Sequence, residues 1–312
     1  MNNLQVSFYT EAGSKRGMGH LIRCYTIYQK LKDIGIKAAF FLDSDVDYRY
    51  KFNDIEYFKW EEFIFDNGVN ILFIDSYEAD IELYNKISKC VKVPVYIDDY
   101  ERLDYPRGLI INFAPEARKF FKFRKENYHY LLGLNFIPLR EEFLNTNIKK
   151  ENQLFIMLGG SDVANLSLEI IDILKNVDIK KIIVSNNELI KNKLSSYKNV
   201  EVLYKPNDIE LIKKMSISKF AISTASMTIY ELAYCQIPTI ILAVDKNQEL
   251  GAKQLIKYKL AVSFIDIKSI TWKNNIEIKV NELIKSALPS NKIVDGRGTQ
   301  RIVDKIIKLA ME

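Results

Sequence analysis

One histidine of the sequence stands where a histidine can act as a base. His20 ends the motif Gly17-Met18-Gly19-His20, which lies between an alternating apolar run and a run with helical spacing. Glycines let the backbone approach a ligand, and a helix N-terminus offers free N–H groups and a positive dipole end. This setting disfavours an imidazolium, so we expect a neutral His20 that can accept a proton. A tight turn capped by His20 is the simpler alternative.

Three later segments could bind the phosphates or the sugar of a ligand. Gly159 to Asp162 and Ser223 to Glu231 each follow an apolar run and open a helical one. Helix N-termini with glycines and hydroxyls suit a diphosphate, and the Glu231 carboxylate could accept hydrogen bonds from ribose hydroxyls. The amides of Asn247 and Gln248 could hold sugar substituents. Each segment could equally be an ordinary helix cap.

The elements that must carry these residues alternate between strand and helix along nearly the whole chain. Apolar runs such as Asn70 to Asp75 and Val93 to Asp98 are continuous, as expected of parallel strands covered on both faces. A polar stretch from Asn145 to Asn152 then precedes a fresh series of strands and helices. The pattern predicts two consecutive parallel α/β domains with a cleft between them. We expect domains at 1–148 and 149–298, with a last helix over 299–312.

The amino-acid composition limits the classes of protein to which the chain can belong. The chain has 312 residues, 48% hydrophobic and 27% charged, with a net charge of +5, which indicates a folded globular protein. We find no basic block interleaved with aromatics that would indicate a nucleic-acid groove. The three cysteines and two histidines are too far apart in the sequence to show the spacing of metal ligands. Asp98 and Asp99 are adjacent, and adjacent residues of a strand face opposite ways, so we do not expect them to hold a metal. Without a signal pattern or a long apolar run, we expect a cytoplasmic protein.

Taken together, the order and spacing of the motifs resemble one family. The chain resembles the hydrolases of pseudaminic acid biosynthesis that remove UDP from UDP-2,4-diacetamido-2,4,6-trideoxy-β-L-altropyranose. The matching residues are Gly17-x-Gly19-His20-x-x-Arg23, Ile74-Asp75-x-Tyr77, Asp98-Asp99, Leu139-Arg140-Glu141-Glu142-Phe143, Gly159-Gly160-Ser161-Asp162-x-x-Asn165, Ser223-x-x-Ser226-x-x-x-x-Glu231 and Lys246-Asn247-Gln248. The resemblance extends over roughly residues 4 to 305.

The resemblance implies a GT-B fold, with two Rossmann-like domains, and an inverting hydrolysis without a cofactor or a dedicated metal site. It implies a UDP-activated diacetamido sugar as substrate and water as acceptor. We expect a monomer or weak dimer. The expected catalytic residues are His20, Tyr77 and Asn247. The expected substrate-binding residues are Glu11, Gly17, Gly19, Arg23 and Gln248. The expected UDP-binding residues are Gly160, Ser161, Ser223, Ser226, Met227 and Glu231.

The chain departs from that family just before the glycine motif. Family members usually have Arg-x-Asp where this sequence has Tyr9-Thr10-Glu11, which we expect to change the charge beside the substrate. The sequence is also compatible with a second function, that of a GT-B glycosyltransferase with a hydroxyl acceptor. Such enzymes share the Gly-x-Gly-His motif and the glutamate in the helix that binds UDP. A lipid-linked acceptor would call for an apolar patch with a basic rim, which we do not find clearly in the sequence.

Overall fold

The computed structural model describes residues 4–121, 123, 126–144, 149–159, 166–244, 246–285 and 292–312, without the side chains of 120 and 246–248. The chain divides into two compact units. Unit 1 comprises residues up to 139 together with 296–312, and unit 2 comprises residues 140–295. The sequence placed these divisions at 148/149 and 298/299. Arg140 begins unit 2, because its guanidinium pairs with carboxylates of that unit.

Unit 1 is built on a parallel sheet. Among the described residues its seven strands lie in the order β3-β2-β1-β4-β5-β6-β7. The central strands are buried on both faces, which explains their continuous apolar sequences. The strands are β1 (Gln5–Ala12), β2 (Lys37–Ser44), β3 (Ile55–Tyr57), β4 (Ile71–Asp75), β5 (Val93–Ile97), β6 (Gly108–Asn112) and β7 (Tyr128–Leu132).

The helices of unit 1 are α1 (Gly19–Asp33), α2 (Ile81–Cys90), α3 (Ala117–Phe120) and the final helix of the chain, Gly298–Met311, which is α10 in chain order. The final helix packs against α1, so the end of the chain belongs to unit 1. Its first residue, Gly298, lies against the backbone of Ile137, where an added Cβ would meet the carbonyl oxygen at 2.1 Å. Short 3₁₀ turns occupy Trp60–Glu62 and Leu134–Phe136.

Unit 2 repeats the same architecture. Its described strands form a parallel sheet of six in the order β10-β9-β8-β11-β12-β13. They are β8 (Glu151–Met157), β9 (Lys180–Ser185), β10 (Val200–Tyr204), β11 (Ser218–Thr224), β12 (Thr239–Ala243) and β13 (Ser263–Asp266). The helices are α4 (Leu166–Ile173), α5 (Glu188–Leu194), α6 (Asp208–Ile217), α7 (Thr228–Tyr234), α8 (Lys246–Lys257) and α9 (Trp272–Lys285), and a 3₁₀ turn spans Glu141–Phe143.

The predicted succession of parallel α/β elements is confirmed, with two differences in the strands. The first strand continues through Glu11 to Ala12, well past the apolar run that ends at Tyr9. The predicted linker is shorter than its polar sequence indicated, because Glu151 and Asn152 already form the start of β8. Residues 145–148 of that stretch lie outside the described residues.

Candidate active site

Polar side chains gather where β1 and β4 end, next to the start of α1. Thr10 of β1 is in register with Asp75 of β4, so the residues that follow them share one edge of the sheet. Helix α1 begins at Gly19, and His20 is its second residue. The carboxyl edge of a parallel sheet is where open α/β domains bind ligands.

The glycine motif before α1 is a tight loop. Gly13 and Gly17 exchange two backbone hydrogen bonds of 3.0 and 2.8 Å. Gly17 has a φ of +72°, a left-handed conformation that favours glycine. Ser14 within the loop donates its backbone N–H to Asp45 at 2.9 Å. The closed loop sets the point at which α1 starts, and with it the position of His20.

His20 is held by a carboxylate. Its Nδ1 lies 2.6 Å from Oδ1 of Asp75, and both side chains are buried. An ionised carboxylate only accepts hydrogen bonds, so this contact assigns a proton to Nδ1. Within the described part of the chain no hydrogen bond to Nε2 is found, and that nitrogen is left as the acceptor of the ring. The arrangement matches the histidine and aspartate of hydrolytic triads, where the carboxylate fixes the tautomer of the base.

Arg23 joins two carboxylates behind His20. Its Nε and Nη2 donate to Asp75 at 2.5 and 2.6 Å, and its Nη1 donates to Asp99 at 2.7 Å. The same Nη2 lies 3.1 Å from Nδ1 of His20, where both N–H groups point at the Asp75 carboxylate. The sequence predicts that Arg23 binds substrate, but in this structure the residue is 4% exposed and its guanidinium is occupied by the two aspartates.

The charges of this cluster shift the pKa values of its members. Burial alone would raise the pKa of Asp75, but Arg23 and His20 outweigh it and hold that pKa far below its ordinary value. Arg23 likewise overcomes the effect of burial and lowers the pKa of Asp99. Burial and the Asp99 carboxylate raise the pKa of Tyr77, which keeps its phenol protonated. Both aspartates are therefore carboxylates at neutral pH.

Tyr77 lies directly beside the histidine. The two rings meet edge to face with centroids 4.6 Å apart, and the Tyr77 hydroxyl donates to Oδ2 of Asp99 at 2.6 Å. Tyr77 is 44% exposed, so part of its ring faces solvent next to the candidate base. Tyr100, also exposed, has its ring 6.0 Å from that of Tyr77.

Glu11 is fully buried beside this cluster. Its carboxylate accepts hydrogen bonds from Ser76 Oγ at 2.5 Å, from the Tyr77 N–H at 2.9 Å and from Trp60 Nε1 at 3.1 Å. Arg16 lies 3.8 Å from one oxygen. The sequence predicts a substrate-binding role for Glu11, but at 0% exposure its oxygens point into unit 1.

Tyr9, which stands where the resembled family has arginine, belongs to the core of unit 1. Its ring stacks on Phe41 with centroids 4.6 Å apart, and its hydroxyl donates to the carbonyl of Ile64. Burial raises the pKa of this phenol to about 12. The replacement therefore adds an aromatic ring to the core.

Unit 2 has its own buried ion cluster, around Arg140. Arg140 donates through Nε and Nη2 to Oε1 of Glu231, at 3.1 and 2.8 Å, and through Nη1 to Asp208 at 2.9 Å. Glu231 lies in α7, as the sequence predicts, and its position is fixed by this arginine. The sequence predicts no role for Arg140, although Arg140 is one of the residues that match the resembled family.

The other predicted nucleotide-binding residues of unit 2 are only partly described. Ser223 is a fully buried residue of β11, and its hydroxyl has no hydrogen-bond partner among the described residues. Ser226 and Met227 form the turn before α7, where the Ser226 N–H donates to the Thr224 carbonyl at 2.8 Å. Gly160 and Ser161 lie outside the described residues, as do the side chains of Asn247 and Gln248.

The sequence is similar to those of known UDP-sugar hydrolases. No family model matches the chain. A Helicobacter pylori protein named pseudaminic acid cytidylyltransferase and UDP-2,4-diacetamido-2,4,6-trideoxy-β-L-altropyranose hydrolase is 30% identical over 76% of this chain. A Campylobacter jejuni hydrolase of the same UDP-sugar is 24% identical over 84% of this chain and 99% of its own length. The chain is a homologue of these hydrolases. It matches only 44% of the length of the bifunctional H. pylori protein.

The fold comparison agrees with the sheets described above. MurG of Acinetobacter baumannii superposes with a TM-score of 0.65 at 13% identity, over 97% of this chain and 99% of that one. The chain has the GT-B fold, and the fold predicted from the sequence is confirmed. None of the described helices is both long and apolar enough to cross a membrane.

Proposed function

We propose that the protein is a hydrolase that releases UDP from a UDP-2,4-diacetamido-2,4,6-trideoxyhexose. The proposal is supported by the homologues, which are named for this activity, and by the fold. The observation that carries it is the buried contact between His20 Nδ1 and Asp75 Oδ1, which leaves Nε2 to take a proton. Cleavage of the anomeric bond of a sugar nucleotide by water needs one base, and we assign that role to His20.

In the proposed reaction, water attacks the anomeric carbon from the face opposite the diphosphate. A new bond forms between the water oxygen and that carbon, the bond from carbon to phosphate oxygen breaks, and its electron pair leaves with UDP. The water proton passes to Nε2 of His20, whose positive charge is then stabilised by the Asp75 carboxylate. Attack from the opposite face inverts the anomeric configuration.

The leaving group is UDP, so the nucleotide must be held and its growing charge stabilised. We assign nucleotide binding to unit 2, through the segment Ser223 to Met227 and Glu231, with Gly160 and Ser161 on the diphosphate. Backbone N–H groups aimed at a developing negative charge stabilise it without rearranging during the reaction. Glu231 is suited to accept hydrogen bonds from ribose hydroxyls, because Arg140 holds its carboxylate in place. Asn247 and Gln248 are assigned to the sugar.

We further propose that catalysis needs no dedicated metal ion. The carboxylates nearest the candidate base, Asp75 and Asp99, are both paired with the guanidinium of Arg23. A cation bound there would have to displace a buried arginine that makes several hydrogen bonds to them.

The experiment incubates the purified chain with UDP-2,4-diacetamido sugars and follows UDP release with no acceptor and with excess chelator. We expect release in both conditions. Release that requires an added hydroxyl compound would instead identify a GT-B glycosyltransferase, and release abolished by the chelator and restored by a divalent cation would contradict metal independence. The control is the same donor with the His20→Ala protein.

A further inference from the structure

The four residues that follow β4, Ser76 to Ala79, are held by hydrogen bonds to Glu11. The Glu11 carboxylate accepts the Tyr77 N–H at 2.9 Å and the Ser76 hydroxyl at 2.5 Å. The same hydroxyl oxygen accepts the N–H groups of Glu78 and Ala79 at 2.9 and 3.0 Å. The N–H groups of Tyr77, Glu78 and Ala79 are thus bound by the buried glutamate, directly or through Ser76.

Two carbonyl groups of the same segment are held by Arg102. Its Nη2 donates to the carbonyl oxygen of Ser76 at 3.1 Å and to that of Ala79 at 2.7 Å. The backbone of Arg102 is fixed in turn, because its N–H lies 3.2 Å from Oδ2 of Asp98. A short loop whose N–H and carbonyl groups are both bound by side chains has little freedom to shift.

The segment carries Tyr77, the residue whose ring meets His20. Its ring centroid lies 4.6 Å from that of the histidine, and its hydroxyl is bound to Asp99. Glu11 and Arg102 make none of the described contacts with His20 itself. The member of segment 76–79 whose ring meets the histidine is Tyr77.

We infer that Glu11 and Arg102 are positioning residues, which hold segment 76–79 so that the Tyr77 ring stays against His20. This inference rests on the proposed function and replaces the substrate-binding role that the sequence predicts for Glu11. Misplacement of about 1 Å near reacting atoms can lower a rate by about 10²-fold. Loosening this segment therefore acts mainly on kcat, because ground-state binding of the nucleotide is unaffected.

The first test is amide hydrogen exchange, which needs no substrate. In Glu11→Ala, and more weakly in Glu11→Gln, we expect the amides of 77–79 to exchange roughly 10-fold faster or more, as for loss of one or two hydrogen bonds. The matched control is Asp54→Asn, since Asp54 accepts three side-chain hydrogen bonds from Tyr25, Tyr28 and Lys32 in the same unit. Unchanged exchange at 77–79 in Glu11→Ala would overturn the inference.

The second test is a double-mutant cycle on kcat with Tyr77→Ala. If Glu11 acts through Tyr77, Glu11→Ala lowers kcat in the wild-type background, with little change in KM, and has little further effect once Tyr77 is removed. Glu11→Gln should restore part of the loss. Additive effects would mean that Glu11 does not act through Tyr77, and a rise in KM alone would mean that it acts on substrate binding; either result would overturn the inference. Lack of UDP release by the wild type would count against the proposed function, while hydrogen exchange still decides whether Glu11 holds the segment.

Discussion

The Nδ1 atom of His20 lies 2.6 Å from Oδ1 of Asp75, and both oxygens of that carboxylate also accept hydrogen bonds from Arg23. Both oxygens of the aspartate therefore accept hydrogen bonds from N–H groups, and neither oxygen is left to carry a proton and donate it to His20. This relationship fixes the ring of His20, assigns a proton to Nδ1 and leaves Nε2 as the nitrogen that can accept a proton. The proposed chemistry depends on it.

Replacing Asp75 by asparagine should therefore abolish most activity in protein that still folds. In Asp75→Asn the new amide nitrogen would face either Arg23 or Nδ1 of His20, and in the second case the ring proton moves to Nε2. We expect kcat to fall by about 10²- to 10⁴-fold, the range for loss of a general base or its correct tautomer. UDP-release kinetics measure the loss.

Binding of UDP to the same variant provides the control, because the nucleotide contacts are assigned to unit 2. Calorimetric affinity for UDP should stay close to that of the wild type. Full activity of Asp75→Asn would show that the aspartate does not set the state of His20.

The same cluster should make unit 1 sensitive to acid. The folded-state pKa values of Asp75 and Asp99 lie below those of the unfolded chain, about 3.9 for aspartate. Their contribution is therefore complete above about pH 5 and is lost as the pH falls below about 4 toward the folded pKa values. Each group can change the free energy of unfolding by at most about 1.4 kcal/mol per pH unit.

Denaturant unfolding between about pH 7 and about pH 2.5, a range that brackets the unfolded pKa of aspartate, checks this expectation. The sequence contains two tryptophans, Trp60 in unit 1 and Trp272 in unit 2, so a Trp272→Phe background lets fluorescence report on unit 1. The pH dependence should become shallower when Asp75→Asn is added. An unchanged slope in that variant would contradict the shifted pKa of Asp75.

Much of the fold could be read from the sequence, because parallel strands covered on both faces are continuous apolar runs. The edge of the sheet was also readable, since Asp75 and Asp98 follow such runs. Glu11 is harder to interpret from the sequence, because an acidic residue after an apolar run is commonly solvent-exposed at a strand end. In the structure Glu11 is buried and accepts hydrogen bonds from Ser76 and Trp60. Those partners are 65 and 49 residues away in the chain, and no local pattern encodes their approach.

Arg23 illustrates a second limit of sequence analysis. The family resemblance assigns Arg23 to the substrate, and that role stays a prediction. The actual partners of Arg23, Asp75 and Asp99, come from the ends of two other strands, and only the sheet order brings them to α1. For the same reason the importance of Arg140 became visible only through Glu231, 91 residues further along the chain.

The start of α10 offers a test of the packing in unit 1. In Gly298→Ala the new Cβ would lie 2.1 Å from the carbonyl oxygen of Ile137 and 2.6 Å from its nitrogen, so backbone must move. We expect a loss of about 1–3 kcal/mol in the free energy of unfolding of unit 1. Gly251→Ala is the matched control: outside its own helix backbone no described atom lies within 4 Å of the added Cβ, and helix propensity predicts a gain of about 0.5–1 kcal/mol. Equal effects of the two substitutions would contradict the packing.

Glu231 should discriminate ribose from deoxyribose. If its carboxylate accepts a hydrogen bond from the ribose 2′-hydroxyl, the wild type should bind UDP more tightly than 2′-deoxy-UDP by about 10-fold or more, as for a hydrogen bond to a charged group. Glu231→Gln should bind UDP more weakly and lose most of this preference. Calorimetric titration with both nucleotides measures the two affinities. An undiminished preference for UDP in Glu231→Gln would mean that Glu231 does not bind the ribose.

The most direct test of the central claim is UDP release in ¹⁸O-labelled water, followed in parallel for the wild type and for His20→Ala. Attack of a His20-activated water on the anomeric carbon predicts that the released UDP carries no label, that the first-formed sugar is labelled and inverted by NMR, and that His20→Ala binds UDP but releases almost none from the sugar nucleotide. Label in the diphosphate, or wild-type rates of release from His20→Ala, would contradict the account.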